Sequence, residues 1–327
     1  MVSRITHEST SKILGVRRRV AENVVGRERE LDLLLAAVGA GRDIVLEGPP
    51  GTSKTTLLRA ITTEWDVPLV FVEGNADLTP TKLLGHHNPA RVLREDYSED
   101  NFVDGPLLTA MREGGFLYVE EFNRAPDDTL NTLLTAMADR EVTVPRVGRV
   151  EAKDTFRVIA SMNPYDNVGT TRLSSSIHDR MCRLAIDYQD EQAEIDIVDR
   201  RSGDSSAEMP SALAAAVRLD AVAVTRATRE HPDIRQGSSV RGAIDLALVA
   251  YELLAMRDQT SPGEGRLRTD DPDGDRAAYA ATFWDAMVVA LSGRIHVDEA
   301  IESTPEAVLR EIWEDRFILD PAAAEPG

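Results

Sequence analysis

The stretch Gly48-Pro49-Pro50-Gly51-Thr52-Ser53-Lys54-Thr55 holds the residue types that cradle a polyphosphate. It follows a short apolar run, Ile44–Glu47, and opens a helical pattern through Leu57, Leu58 and Ile61, the strand–loop–helix setting such a loop requires. The first backbone N–H groups of a helix have no intrahelical partner, and the helix dipole favours an anion there, so this turn would face phosphate oxygens. Lys54 would reach the β- and γ-oxygens, and the Thr55 hydroxyl would ligate Mg2+. Gly48, Pro50, Gly51, Thr52, Ser53, Lys54, Thr55 and Thr56 are the expected nucleotide contacts. Ser53 stands where the pattern asks for glycine, and a serine fits there if its φ stays negative.

Phe116-Leu117-Tyr118-Val119-Glu120-Glu121 reads as a buried strand ending in two carboxylates. Nucleotide hydrolysis needs one acid to hold the metal's water shell and another to orient or deprotonate the attacking water. Adjacent residues at a strand's end point opposite ways, which assigns Glu120 to the metal and Glu121 to the water. Most such strands carry aspartate first, and Glu120 is one methylene longer. The competing reading is a solvated strand end. Beyond another apolar run, Phe156–Ala160, Asn163 is suited to sit between γ-phosphate and water, although Asn163-Pro164 also starts ordinary turns.

These residues need a scaffold. From Ala21 to about Asp190, the runs Ile44–Leu46, Leu69–Val72, Phe116–Val119 and Phe156–Ala160 alternate with helical patterns, the signature of a parallel sheet with crossover helices. Leu31, Leu34, Leu35 and Val38 mark one helix face, stopped by Gly39 and Gly41, and Leu130, Leu133, Leu134 and Met137 mark another. Val142–Val150, broken by Pro145-Arg146 and Gly148, reads as a hairpin. After about Arg200 strand-like runs vanish. Ser211–Thr228, Ser239–Met256, Arg276–Leu291 and Pro305–Arg316 read as helices, the last capped by Thr304, with a polar loop over Arg257–Asp275. The expected organisation is a polar lead over 1–20, an α/β core over 21–200, a helical domain over 201–318 and a loose tail over 319–327.

Composition narrows the classes. The chain has 327 residues, 42% of them hydrophobic, and a net charge of −19. No run reaches the ~18 apolar residues of a membrane helix, and the lead has Arg17-Arg18-Arg19 without an apolar segment after it, so a cytoplasmic protein is expected. One cysteine, Cys182, excludes a disulfide framework and is expected to be a small buried apolar residue. The acidic balance argues against a general nucleic-acid binder. Lys12, Lys54, Lys82 and Lys153 are the only lysines, a pattern compatible with a salt-loving or high-GC source.

Together the segments resemble the AAA+ ATPases, in particular the MoxR-type branch related to magnesium-chelatase ATPase subunits. The similarity covers about residues 21–190 and runs through Val24–Glu28, Gly48–Thr55, Gly105-Pro106-Leu107, Glu120–Pro126, Ala136–Thr143, Ala160–Pro164, Gly169-Thr170 and Asp179-Arg180. The Asn123-Arg124-Ala125-Pro126 extension is its most diagnostic part. The resemblance implies a five-stranded parallel sheet with a helical lid, ATP and Mg2+ as cofactors, and a homo-oligomeric ring, usually of six subunits, with nucleotide at the interfaces. It makes Arg180, or alternatively Arg172, a finger reaching a neighbour's γ-phosphate. Arg124 becomes an interface residue, Val25 and Gly26 neighbours of the adenine, and Arg241, in Gly237-Ser238-Ser239-Val240-Arg241, a second nucleotide sensor.

The expected activity is therefore ATP hydrolysis that alters the lid–core angle and remodels, assembles or activates a client protein complex. Metal-cofactor insertion with a separate von Willebrand A domain partner is one form this takes in the family. Met162-Asn163-Pro164-Tyr165-Asp166 partly resembles the signature of a McrB-like GTPase motor of restriction systems, a second enzyme reading. A nucleotide-switched scaffold with little turnover is the non-enzyme reading. His86-His87 lacks a third ligand and reads as loop. His178 beside Asp179 reads as a solvated pair, and Arg146 and Arg149 as either pore-lining or solvated hairpin residues.

Overall fold

In a computed structural model the described residues are 7–95, 97, 99–163, 174–206, 209–260 and 272–319. They fall into two compact units, Met1–Asp187 and Tyr188–Gly327. The first is built on a five-stranded, wholly parallel sheet of β1 (Asp43–Glu47), β2 (Leu69–Glu73), β3 (Phe116–Glu120), β4 (Arg157–Met162) and β5 (Met181–Ala185), in the spatial order β2-β3-β4-β1-β5.

β1 is buried at every position, as a strand covered on both faces must be. The two faces feed two separate cores. Val45, Leu117, Val119, Val158 and Ala160 pack with Leu107, Leu108, Met111, Leu130 and Leu133 on one side. Ile44, Leu46, Phe116, Tyr118 and Ile159 pack with Leu34, Leu35, Leu57 and Leu58 on the other. The period of two along each strand thus decides which side chains meet the helix Lys54–Trp65 that follows the phosphate-type loop.

Three of the four apolar runs form the inner strands β1, β3 and β4, and the fourth, β2, is an edge strand buried only at Val72. The other edge strand, β5, carries no apolar run, and of its residues Met181 and Leu184 are buried. Cys182 lies on it and is exposed, so the expectation of a buried cysteine is corrected. The polar lead is, from His7, a helix reaching Asn23. Val16 and Val20, one turn apart, are buried against the Leu34–Leu58 core, and Arg17 and Arg19 pair with Asp32 and Glu64. Residues 1–6 and the tail from 320 lie outside the described residues.

The hairpin pairs Glu141–Val144 with Gly148–Glu151. Arg149 joins Glu141 and Glu151 on it, and the Arg146 guanidinium lies 4.0 Å from the Tyr97 ring centre. His86-His87 forms a short strand, Gly85–His87, paired with Phe102–Asp104, and His87 packs edge-on against Tyr97 and Phe102. No group of three metal-ligating side chains occurs among the described residues.

The second unit is helical. Helices Glu191–Ser202, Ser211–Glu230, Val240–Thr260, Pro272–Leu291 and Pro305–Glu314 enclose one core of Val217, Leu246, Tyr251, Phe283, Met287 and Leu309, among others. Thr304 caps the last helix, accepting from the Ala307 amide. A small antiparallel pair, Ile234–Gln236 with His296–Val297, adds strand where none was expected. The expected loop is helical at both ends, to Thr260 and from Pro272, and residues 261–271 lie outside the described residues. Inside the unit Asp220 accepts from the Tyr279 hydroxyl at 2.7 Å and from Arg316 at 2.8 and 3.0 Å. Burial raises the Asp220 carboxyl above its usual range and the Tyr279 phenol well above its own. No helix among the described residues is long and apolar enough to cross a membrane.

Candidate functional site

The loop between β1 and the helix Lys54–Trp65 passes close under the backbone that follows β5. A Cβ on Gly48 would stand 1.9 Å from the Ile186 carbonyl oxygen, so position 48 admits glycine alone. Gly48 N–H donates to the Met162 carbonyl at 3.1 Å, tying the start of the loop to the end of β4. Gly51 takes φ +76°. Lys54 Nζ donates to the carbonyls of Gly48 and Pro49 at 2.9 and 2.7 Å, which brings its charge over the loop.

Ser53 overturns one expectation. Its φ is +65°, in the left-handed region, not negative. The loop enters the helix through this left-handed residue. A non-glycine residue there costs about 1–2 kcal/mol. Ser53→Gly should therefore raise stability by about 0.5–1 kcal/mol after the greater freedom of an unfolded glycine is discounted. The urea midpoint of the first unit's unfolding checks this, and an unchanged or lower midpoint contradicts it.

Thr55 and Glu120 meet. The Thr55 hydroxyl donates to Glu120 Oε1 at 3.1 Å, across from the loop to the tip of β3. Glu120 shares its face with Tyr118, two residues earlier, and that is the face turned to the helix Lys54–Trp65. The Tyr118 hydroxyl lies 3.2 Å from Thr55 Oγ1 and 2.9 Å from Ser161 Oγ, and burial holds its phenol above the usual range. A hydroxyl and a carboxylate are hard oxygen donors of the kind Mg2+ prefers, with the remaining positions left to water and phosphate.

Glu121 turns away from this pair. The chain leaves β3 with Glu121 at φ +52°, and its carboxylate meets Arg124 Nη1 at 3.2 Å. A Cβ at Gly74, at the end of β2, would stand 2.4 Å from the Glu121 carbonyl oxygen, so glycine makes room for this turn. Asn123 is buried, and Arg124 is half-buried. Asn163 directly follows Met162, whose carbonyl receives the Gly48 amide, so it sits at the tip of the strand beside the loop.

Arg27 was not singled out in the sequence, although it lies inside the Val24–Glu28 segment. It is buried, and its Nη2 donates to the carbonyls of Thr52 at 3.1 Å and Asp187 at 2.5 Å. It thereby fastens the Val25-Gly26 turn, where Gly26 takes φ +63°, to the phosphate-type loop. The signal in the sequence was an arginine set between the apolar residues Val24 and Leu31, both of which the structure buries.

Arg180 ends the short helix Ser175–Arg180, exposed, with Nη1 on its own helix's Ser176 carbonyl at 3.1 Å. His178 and Asp179 are exposed beside it. Arg172 and Pro164–Asp166 lie outside the described residues. Arg241 is exposed in the first turn of Val240–Thr260 in the second unit. The segment before it is pinned there: Ser238 N–H donates to Thr228 Oγ1 at 2.9 Å, and Arg229 donates to the Ser238 carbonyl at 2.6 Å.

Residues 43–181 match the AAA domain, dynein-related subfamily. The gas vesicle ATPase GvpN of Ancylobacter aquaticus is 27% identical over 253 residues, 71% of this chain and 68% of that protein. GvpN2 of Halobacterium salinarum is 28% identical over 299 residues, 86% of this chain and 78% of that protein. The Thermotoga maritima RuvB Holliday junction branch migration motor is similar in fold, with a TM-score of 0.51 at 19% identity over 84% of this chain and 72% of RuvB.

Proposed function

We propose that this chain, whose residues 43–181 match an AAA domain and which is 27–28% identical to gas vesicle ATPases, is an AAA+ ATPase that hydrolyses ATP at the Gly48–Thr55 loop to remodel or assemble a partner protein complex. The carrying observation is the 3.1 Å hydrogen bond between Thr55 and Glu120, which joins the loop to the acidic strand end. In this reading the amides around Gly51 and Lys54 bind the β- and γ-phosphates, and Lys54 exchanges its loop carbonyls for phosphate oxygens. Thr55 and Glu120 would hold Mg2+, which neutralises phosphate charge during transfer. Glu121 orients the attacking water and accepts its proton once its carboxylate leaves Arg124. Asn163 holds the same water from the tip of β4. Val25 and Gly26 border the base.

The MoxR-type branch, a six-membered ring, Arg180 reaching across an interface and Arg241 sensing nucleotide belong to the same proposal. So does a von Willebrand A domain adaptor, with metal insertion as one possible service. The relatives named for gas vesicles make a protein assembly a second client class to test. Phosphate release with Mg2+, compared with EDTA and with GTP, decides the chemistry. Turnover with ATP that disappears in EDTA is expected. A strong preference for GTP favours the restriction-type motor, and tight binding without turnover favours a switched scaffold. Capture with Glu121→Gln protein and ATP then identifies the client.

A further inference from the structure

β3 is apolar from Phe116 to Val119 except for one oxygen, the hydroxyl of Tyr118. The residue is fully buried, and a phenylalanine would fill nearly the same volume. Packing alone therefore does not call for the hydroxyl. Its surroundings do. The oxygen lies 3.2 Å from Thr55 Oγ1, 3.5 Å from Glu120 Oε1 and 2.9 Å from Ser161 Oγ. Those partners come from three chain segments: the helix after the phosphate loop, the tip of β3, and β4 two residues before Asn163.

The donor count adds to this. Thr55 spends its single proton on Glu120 Oε1, and a tyrosine hydroxyl offers one proton and accepts others. Ser161 can donate to Tyr118 while Tyr118 donates towards the Thr55–Glu120 pair, so a continuous chain of hydroxyls ends on the carboxylate. Glu120 has one more rotatable bond than an aspartate would, and so more rotamer freedom to lose on ordering. Groups behind a metal's ligands fix ligand orientation, and their loss typically weakens metal binding 10–100-fold.

We infer that Tyr118 is a positioning residue: its hydroxyl orients the Thr55–Glu120 pair for Mg2+ and links that pair to the strand carrying Asn163. The inference rests on the ATPase reading above. It is tested with full-length protein by titrating Mg2+ against binding of a fluorescent, slowly hydrolysed ATP analogue, with EDTA as the metal-free arm. Tyr118→Phe should need about tenfold more Mg2+ for half-maximal tightening, with metal-free affinity unchanged. With saturating Mg2+, its kcat and KM should approach those of the unsubstituted protein. A Mg2+ midpoint equal to that of the unsubstituted protein overturns the inference. Equal weakening with and without Mg2+ also overturns it, because that is what a packing defect would give. If the unsubstituted protein binds the analogue without any Mg2+ dependence, the ATPase reading itself fails, and this inference with it. Should Tyr118→Phe not fold, Ser161→Ala carries the test by removing the far end of the hydroxyl chain. A shift of about threefold in the same direction is expected, and no shift overturns the inference.

Discussion

Glu121→Gln is expected to lower kcat for ATP by about 10²–10⁴-fold, the usual worth of a positioned general base, with nucleotide affinity within about twofold. The amide keeps the shape of the side chain and loses its basicity. Stability should barely change, because Glu121 and Arg124 are each about two-fifths exposed and pairs of that kind contribute about 0–1 kcal/mol. The turn itself, with Glu121 at φ +52°, is held by main-chain contacts, including Arg124 N–H to the Glu121 carbonyl at 2.8 Å. Glu120→Gln should behave differently. It touches Thr55 rather than Arg124, so its loss should appear first as weaker Mg2+-dependent binding. Single-turnover phosphate release and analogue binding, measured on both variants, separate the roles. If Glu120→Gln spares metal dependence and Glu121→Gln removes it, the assignments are interchanged.

The two carboxylates also mark how far residue order carries a reading. The loop, the acidic strand end and Asn163 were legible because each has a fixed place relative to an apolar run, and apolar runs of four or five residues are what a buried parallel strand requires. Alternation along a strand predicted that the two carboxylates point apart, and in the structure they do so by a different device: Glu121 leaves the strand in a left-handed turn. Backbone sign is not written in residue type, which is why Ser53 was expected with the wrong φ. In β5 the buried pair Met181 and Leu184 is split by Cys182 and Arg183, and in the helix His7–Asn23 the buried Val16 and Val20 enclose three arginines, so neither segment shows an apolar run. Val16 and Val20 stand among arginines that pair with Asp32 and Glu64, partners 15 and 45 residues away in the chain. Arg27 and Tyr118 were missed for the same reason. Their partners, Thr52, Asp187, Thr55 and Ser161, are distant in sequence and meet only once the sheet is assembled.

Arg180→Ala should reduce turnover by about 10³–10⁵-fold if its guanidinium completes a neighbour's site, while leaving nucleotide binding and stability almost unchanged. The small structural cost follows from its place: it is exposed at the end of a six-residue helix and bonds only one carbonyl of that helix among the contacts described for it. A loss of rate alone does not distinguish action in the same subunit from action in the next, but mixing does. Glu121→Gln subunits keep Arg180, and Arg180→Ala subunits keep Glu121. In a head-to-tail ring, about a quarter of the interfaces in an equal random mixture bring an intact Glu121 against an intact Arg180. Two nearly inactive proteins should then recover a substantial fraction of the unsubstituted rate on mixing. If Arg180 serves its own subunit's nucleotide, no interface in the mixture is complete and no rate returns. Recovery that needs Arg172 instead would move the finger to that residue, whereas a wild-type rate for Arg180→Ala alone would remove it from the chemistry altogether.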